Sequence, residues 1–365
     1  IAEKPSVAGD IARALGGFKK DGDFWVSDAM IVGSAVGHLL EIKAPEEYDV
    51  KRGRWSFANL PVLPPHFDLQ PIKKSIKKFE GLEKKIRSRS VTDIINACDA
   101  GREGELIFRY IIQATGTKKP IRRLWLQSMT KTSIQKAFTA LRSDAEMKPL
   151  EAAARSRSEA DWLVGINGTR ALTAFNSKDG GFFLTTVGRV QTPTLAIVVA
   201  REEEIAHFKP QNYWEVHATF GAQAGDYDSV WVDADFKKTK GQSAELKPER
   251  LWTAAEAQAI VAKCQGKLGI VTDHKRRATS APPALFDLTS LQREANGRFG
   301  FPAKMTLAIL QRLYERHKVL TYPRTDSRAL PEDYPETMKE TLSHLQKLEA
   351  YNAFAGQILM SGWVK

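Results

Sequence analysis

Cysteine is scarce: Cys98 and Cys264 are the only two in 365 residues. They lie far apart and form no Cys-x-x-Cys pair, which excludes a disulfide framework and a zinc ribbon. A reducing cytoplasm is therefore expected. Long apolar runs are missing too. None approaches the roughly 18 residues a membrane span needs, and the first residues lack the basic and apolar regions of a signal peptide. The expectation is a protein without membrane attachment. No Gly-x-x-x-x-Gly-Lys phosphate loop is present, which argues against chemistry driven by nucleotide hydrolysis. The seven histidines, at 38, 66, 207, 217, 274, 317 and 344, contain no His-x-His pair. Internal repeats and low-complexity segments are also lacking.

What is present is an ordinary globular composition with a basic excess. At 42% apolar and 27% charged, the chain should fold, and its length suggests two to four domains. A formal charge of +11, from 54 Lys and Arg against 43 Asp and Glu, suits a polyanionic partner such as nucleic acid. Charge by itself decides little, because many proteins are this basic merely to stay in solution. Ile1-Ala2 runs straight into Glu3-Lys4-Pro5-Ser6 with no initiator methionine, so a clipped start is expected.

Along the chain, residues 91–98 read as a buried strand, and Glu105 to Ala114 carry apolar residues at helical spacing. That alternation predicts an α/β sheet to about residue 150. Lysines and arginines between 73 and 89 line an amphipathic helix whose basic face reads as solvated rather than as a DNA contact. Helices are expected from Leu150 to Thr173 and from Thr192 to Ile205, divided by Gly180-Gly181. Residues 213–235 alternate like half-exposed strands. After Ala281-Pro282-Pro283, helices near 290–299 and 303–316 joined at Gly300 to Pro302 read as a helix-turn-helix.

Three clusters carry chemistry. Asp99 lies just past the apolar strand and Glu103 at the start of the next helix, the edge of an α/β sheet where ligands bind. Two such carboxylates suit magnesium, although Glu103 and Glu105 also fit as residues that favour a helix N-terminus. Glu3, if its strand neighbours the one ending at Cys98, joins the same crevice. Crowding would then favour either a metal ion or a raised carboxyl pKa, which makes a usable proton donor. Thr321-Tyr322-Pro323-Arg324 offers a phenol, with a pKa of about 10, that can serve as nucleophile and leaving group in reversible phosphoryl transfer. Arg324, and Lys4 from the other side, would clamp the phosphate. The plainer reading is a Tyr-Pro turn with surface arginines.

Six motifs then fall in register: Glu3-Lys4-Pro5-Ser6, Gly37-His38-Leu39-Leu40-Glu41, Asp99 to Glu105, Asp161 to Arg170, Val187 to Pro193 and Thr321 to Asp326. In order and rough spacing they resemble type IA DNA topoisomerases, closest to the bacterial topoisomerase III kind. The resemblance spans almost the whole chain.

It implies a multidomain α/β and α+β fold: a Toprim α/β domain (1–148), a helical strand-binding domain (149–212), the first part of a β-rich arch (213–279) and a CAP-like helix-turn-helix tyrosine domain (280–365). The parts would surround a hole for DNA. By analogy Tyr322 attacks the scissile phosphate and stays on the 5′ end, Glu3 protonates the leaving 3′ oxygen, and Lys4 and Arg324 bind phosphate. Glu3, Asp99 and Glu103 resemble the Mg²⁺ cluster. His38, Asp161, Arg170, Thr186, Arg189 and Gln191 resemble contacts to the DNA strand, while Trp162 reads better as packing. The implied activity is ATP-independent relaxation of negative supercoils and unlinking of DNA. Implied partners are single-stranded DNA, gapped or negatively supercoiled duplex, a helicase and a single-strand-binding protein, with the protein a monomer near the bacterial nucleoid.

Two departures stand out. Position 101 is Gly where the family's acidic cluster usually has a second Asp, and the chain stops at Lys365 before a His-rich segment and further strands, which reads as a fragment. Competing readings are a Toprim primase or nuclease, which would not need Tyr322, and a helix-turn-helix protein that binds duplex DNA without cutting it. A conjugative relaxase also uses tyrosine but normally needs the His-x-His cluster that is missing.

Overall fold

The computed structural model describes residues 1–48, 55–237, 239 and 245–364. Backbone contacts divide the chain into two units, Ile1–Pro193 with Pro283–Lys365, and Thr194–Pro282.

The first unit is built on a mixed sheet. Antiparallel strands Lys19–Asp21, Phe24–Val26 and Ile31–Val32 run into Ser34, which bridges Ala2, and Ala2 in turn bridges Ala97, both in parallel. Beyond them Ile94–Asn96 pairs in parallel with Ile121–Arg123, and that strand pairs antiparallel with Arg142–Ser143. The short segment at Ile1-Ala2 is thus central: Ala2 N donates to Gly33 O at 2.8 Å and Ala97 N to Ile1 O at 2.8 Å.

Both faces are covered. Helices α1 (Pro5–Leu15) and α4 (Lys131–Thr139) bury Val7, Ile11 and Ile134 with Ala2, Val32 and Ala97 on one side. On the other, α2 (Ile76–Arg87) and α3 (Arg102–Thr115) bury Phe79, Leu82, Phe108 and Ile111 against Ile94 and Leu40. Of the buried strand expected over 91–98, Ile94–Asn96 forms the paired strand and Ala97 bridges Ala2; Ile94, Asn96, Ala97 and Cys98 are buried, whereas Thr92 is exposed.

Local chemistry sets the helix ends. Pro5 opens α1, where its missing N–H costs nothing. Gly116, with φ of 61°, closes α3 in the left-handed region that glycine tolerates. The 33-residue α5 (Asp144–Asn176) starts six residues before the expected Leu150. Ser143 and Glu146 form a capping box there, and Pro149 lies inside the helix, in its second turn, where it removes one backbone hydrogen bond that the 33-residue helix carries. On α2, Lys77, Lys84 and Arg87 are exposed, whereas Lys78 and Lys85 are half-buried and pair with Asp23 at 3.1 Å and Asp21 at 3.9 Å.

Later in this unit, α8 (Leu288–Phe299) and α9 (Ala303–Arg312) are joined through Gly300, with φ of 67°. One π turn, Leu313–His317, follows α9. Helices Pro335–Leu345 and Asn352–Met360 complete the unit. The second unit holds most of helix Gln191–Ala206, the hairpin His217–Ala222 with Gly225–Val230, and a capped helix Ala254–Cys264. No helix among the described residues is long and apolar enough to cross a membrane.

Candidate active site

Glu3 and Asp99 follow adjacent parallel segments of the sheet, so both side chains emerge at its carboxyl edge, the position the strand pattern predicts for ligands. The turn after Ser34 is bound to the same place: Val36 N and Gly37 N donate to Glu3 O at 2.7 and 3.2 Å. Val36 is held at φ 66°, a strained conformation for a β-branched residue, and Gly37 at φ 83°. That turn delivers His38, whose Nε2 lies 3.4 Å from Glu103 Oε2.

Gly104 explains how Asp99 comes so close to α3. A Cβ on residue 104 would collide with the backbone oxygen and nitrogen of Asp99. Gly101 is different: its φ of 179° is extended backbone open to any residue, and nothing lies within 4 Å of a Cβ there. Neither backbone geometry nor space excludes an acid at 101.

Tyr322 meets this edge. Lys4 Nζ lies 3.5 Å from Asp99 Oδ2 and 4.8 Å from the centroid of the Tyr322 ring. Burial and the neighbouring Asp99 carboxylate push Glu3 above its ordinary value, with Lys4 opposing. One of its oxygens, Oε2, is buried without a hydrogen-bond partner among the described residues. Burial works against the Lys4 ammonium, yet Asp99, Tyr322 and Glu3 raise its pKa nonetheless. Burial also raises the Tyr322 phenol, against the pull of Lys4 and Arg324. The edge therefore brings together a cation held charged, a carboxyl disposed to keep its proton and a neutral phenol. That set can bind a phosphate and move a proton to an oxygen leaving it.

The other residues singled out in the sequence fall into two groups. His38, Glu103 and Asp161 line one cleft of about 180 Å³ with Arg102, Arg157 and Ser158. Asp161 Oδ1 accepts from Arg189 Nη1 at 2.8 Å, and Thr186 is exposed on the segment carrying Arg189. Gln191 begins the helix Gln191–Ala206. Arg170 is instead buried, bonded to Glu46 with its guanidinium 5.3 Å from the Trp55 ring. Trp162 packs as expected: its Nε1 donates to Lys43 O at 3.2 Å, and Tyr48 and Phe67 meet its ring edge-on.

The sequence reading missed the scaffold beneath Asp99. Glu105 is fully buried, accepting from Asn96 Nδ2 at 2.9 Å and Arg109 Nε at 2.7 Å. Arg123, equally enclosed, donates to Asn96 Oδ1 at 2.6 Å and to the Asp99 carbonyl at 2.8 Å. Spacing i, i+4 signals the Glu105–Arg109 pair; nothing local signals Arg123, which arrives from the next strand. Also missed were bonds that tie residues after 313 to the sheet domain: Asp333 Oδ2 accepts from Ser128 Oγ at 2.9 Å and Thr130 Oγ1 at 2.6 Å, and Lys318 Nζ donates to Asp10 Oδ2 at 3.0 Å.

Comparison with known proteins accounts for this arrangement. Residues 145–364 match the family described as DNA topoisomerase, and residues 1–129 match the Toprim domain. The chain belongs to the type IA DNA topoisomerases. Over 364 residues it is 40% identical to DNA topoisomerase 3 of Bacillus subtilis, an alignment covering 99% of this chain and 47% of that protein. DNA topoisomerase 3 of Shouchella clausii is 43% identical over 345 residues, 94% of this chain and 45% of that one. The chain thus spans about half the length of the curated relatives it matches. The solved structure of full-length topoisomerase I from Thermotoga maritima superposes with a TM-score of 0.57 at 23% identity, covering 94% of this chain and 52% of that one. It has the same type of fold.

Proposed function

We propose that this chain carries the cleavage and rejoining centre of an ATP-independent type IA topoisomerase that acts on single-stranded regions of DNA. The observation that supports this most is that Tyr322 meets Lys4, Glu3 and Asp99, all more than 220 residues before it in sequence, at one sheet edge. In the forward step the Tyr322 oxygen attacks the scissile phosphorus and the phenol proton passes to solvent water. The bond to the 3′ oxygen breaks, and Glu3 supplies that oxygen's proton. Lys4 and Arg324 offset charge on the phosphoryl oxygens. The products are a 5′-phosphotyrosine and a free 3′ hydroxyl, and the reverse sequence reseals the strand. Because the phosphodiester energy is kept in the phosphotyrosine, no nucleotide is consumed.

Mg²⁺ suits this edge. The unpartnered Glu3 oxygen lies where negative charge is crowded. Among the described residues no group of three or more potential ligands is disposed to enclose a metal, but magnesium commonly takes only one or two carboxylates and keeps its waters. Asp99 and Glu103, beside Glu3, would hold it, and it would supply positive charge to the DNA ends during rejoining.

In this reading the parts are a Toprim domain (1–148), a helical domain (149–212), the beginning of a β-rich arch (213–279) and a tyrosine domain with a CAP-like helix-turn-helix (280–365). His38, Asp161, Thr186, Arg189 and Gln191 would follow the incoming strand. Arg170, locked to Glu46, would shape that path without touching DNA. Separation of the tyrosine domain from the Toprim domain would open the cut strand, so that the whole protein relaxes negative supercoils and unlinks gapped DNA. It would work as a monomer in the cytoplasm beside a helicase and a single-strand-binding protein.

The polarity of attachment tests the reading. The full-length protein is mixed with single-stranded DNA labelled at one end and stopped with denaturant. A 3′ label should migrate with the protein, and a 5′ label should appear on a shorter free fragment. Transfer of the 5′ label, or of neither, would reject the reading.

A further inference from the structure

We propose that Tyr314 is a positioning residue for Tyr322, and that the Asp10–Lys318 ion pair anchors it in that role; the inference rests on the cleavage reading above. The α-helix ending at Arg312 does not continue regularly. A single π turn, Leu313–His317, follows, and Lys318 then takes the left-handed conformation, φ 57° and ψ 33°. Such turns are rare and concentrate at functional sites. Val319 N donating to Leu313 O at 3.2 Å closes the loop, and the chain bends back towards Tyr322.

The consequence is an aromatic wall. The Tyr314 and Tyr322 rings meet edge to face, centroids 5.7 Å apart and planes at 74°. Lys4 stands over the Tyr322 ring, so its side chain is bounded by a cation and by a second ring. Lys318 holds the wall: its Nζ lies 5.6 Å from the Tyr314 centroid and 3.0 Å from Asp10 Oδ2. Asp10 belongs to α1, the helix whose N-cap is Lys4. The strut therefore joins the element carrying Lys4 to the loop carrying Tyr322. Burial and the Asp99 carboxylate push the Tyr314 phenol up to about 12. Its ring is what acts, narrowing the directions Tyr322 can point, and small displacements of an attacking atom cost rate steeply.

Single-turnover cleavage of a single-stranded oligonucleotide by the full-length protein, read as covalent adduct against time and DNA concentration, tests this. Tyr314→Leu should lower the rate at saturating DNA by roughly threefold to tenfold, the value of one aromatic pair. The half-saturating concentration should stay within about twofold. Tyr314→Phe, which keeps the ring, should restore the rate. Lys318→Met and Asp10→Asn should lower it in the same direction, and they carry the test if Tyr314→Leu does not fold. Parent-like rates in Tyr314→Leu, or in both strut variants, would overturn the proposal. So would a change confined to half-saturation, or a Tyr314→Phe as slow as Tyr314→Leu. A parent protein that forms no adduct would instead sink the cleavage reading, so the two failures are distinct.

Discussion

Tyr322→Phe is expected to abolish the covalent complex with DNA and all relaxation of supercoiled plasmid, a loss on the order of 10⁴-fold or more, as when other covalent enzymes lose their nucleophile. The substitution deletes one oxygen. Among the described residues no hydrogen bond to that hydroxyl is made, and the ring contacts with Lys4 and Tyr314 remain available. Folding should therefore be unchanged, and binding of single-stranded DNA should persist, because the charges that attract phosphate are still in place. Adduct formation followed in denaturing gels, beside an ordinary filter-binding curve, separates the two. Undiminished adduct in the variant would mean that another group attacks. Loss of binding along with cleavage would mean that Tyr322 serves recognition.

The second large effect is on stability. Glu105→Ala should cost about 3–5 kcal/mol, because it leaves buried arginines without their carboxylate. Arg109 is 5% exposed and Arg123 is 1% exposed. Arg109 keeps Asp144 at 2.6 Å and Glu151 at 3.2 Å as alternatives. Among the described residues Glu105 is the one carboxylate paired with the Arg123 side chain, its Oε2 3.9 Å from Nε, which makes no hydrogen bond; burial depresses the Arg123 pKa, and Glu105 is the first group that offsets this. Since Arg123 also holds the Asp99 carbonyl at 2.8 Å, the cleavage edge should loosen with the fold. Glu105→Gln keeps an acceptor for Asn96 and should fall between. Denaturant midpoints for the three proteins check the order. A Glu105→Ala protein within about 1 kcal/mol of the parent would show that the buried network contributes little.

The grouping at the sheet edge was partly legible. Asp99 lies just past an apolar strand, and the parallel bridge of Ala2 to Ala97 brings Glu3 beside it, as expected if the two strands are neighbours; Tyr322 was singled out through the Thr-Tyr-Pro-Arg motif, since alone it read as a Tyr-Pro turn. Residues acting through long-range packing were not legible. Arg170 reads as a DNA contact from its motif, yet Glu46, a residue 124 positions earlier, takes its guanidinium inward. Arg123 and Asp333 gain their roles only from partners far away in sequence. One local signal was available and missed. The Ser143-x-x-Glu146 capping box outweighs Pro149 as the marker of where α5 starts. The run from Leu313 to His317 carries the helical pattern onward, but its backbone widens into a π turn, which apolar spacing does not register.

In the proposed reaction the Glu3 carboxyl and the Tyr322 phenol act on opposite sides of one phosphorus atom. An oligonucleotide whose scissile 3′ oxygen is replaced by sulfur tests it directly, since a thiolate leaves without needing a proton. Glu3→Gln should cleave the oxygen substrate about 10²–10⁴-fold more slowly than the parent, and should cleave the sulfur substrate at close to the parent rate. Equal impairment on both substrates would contradict the account.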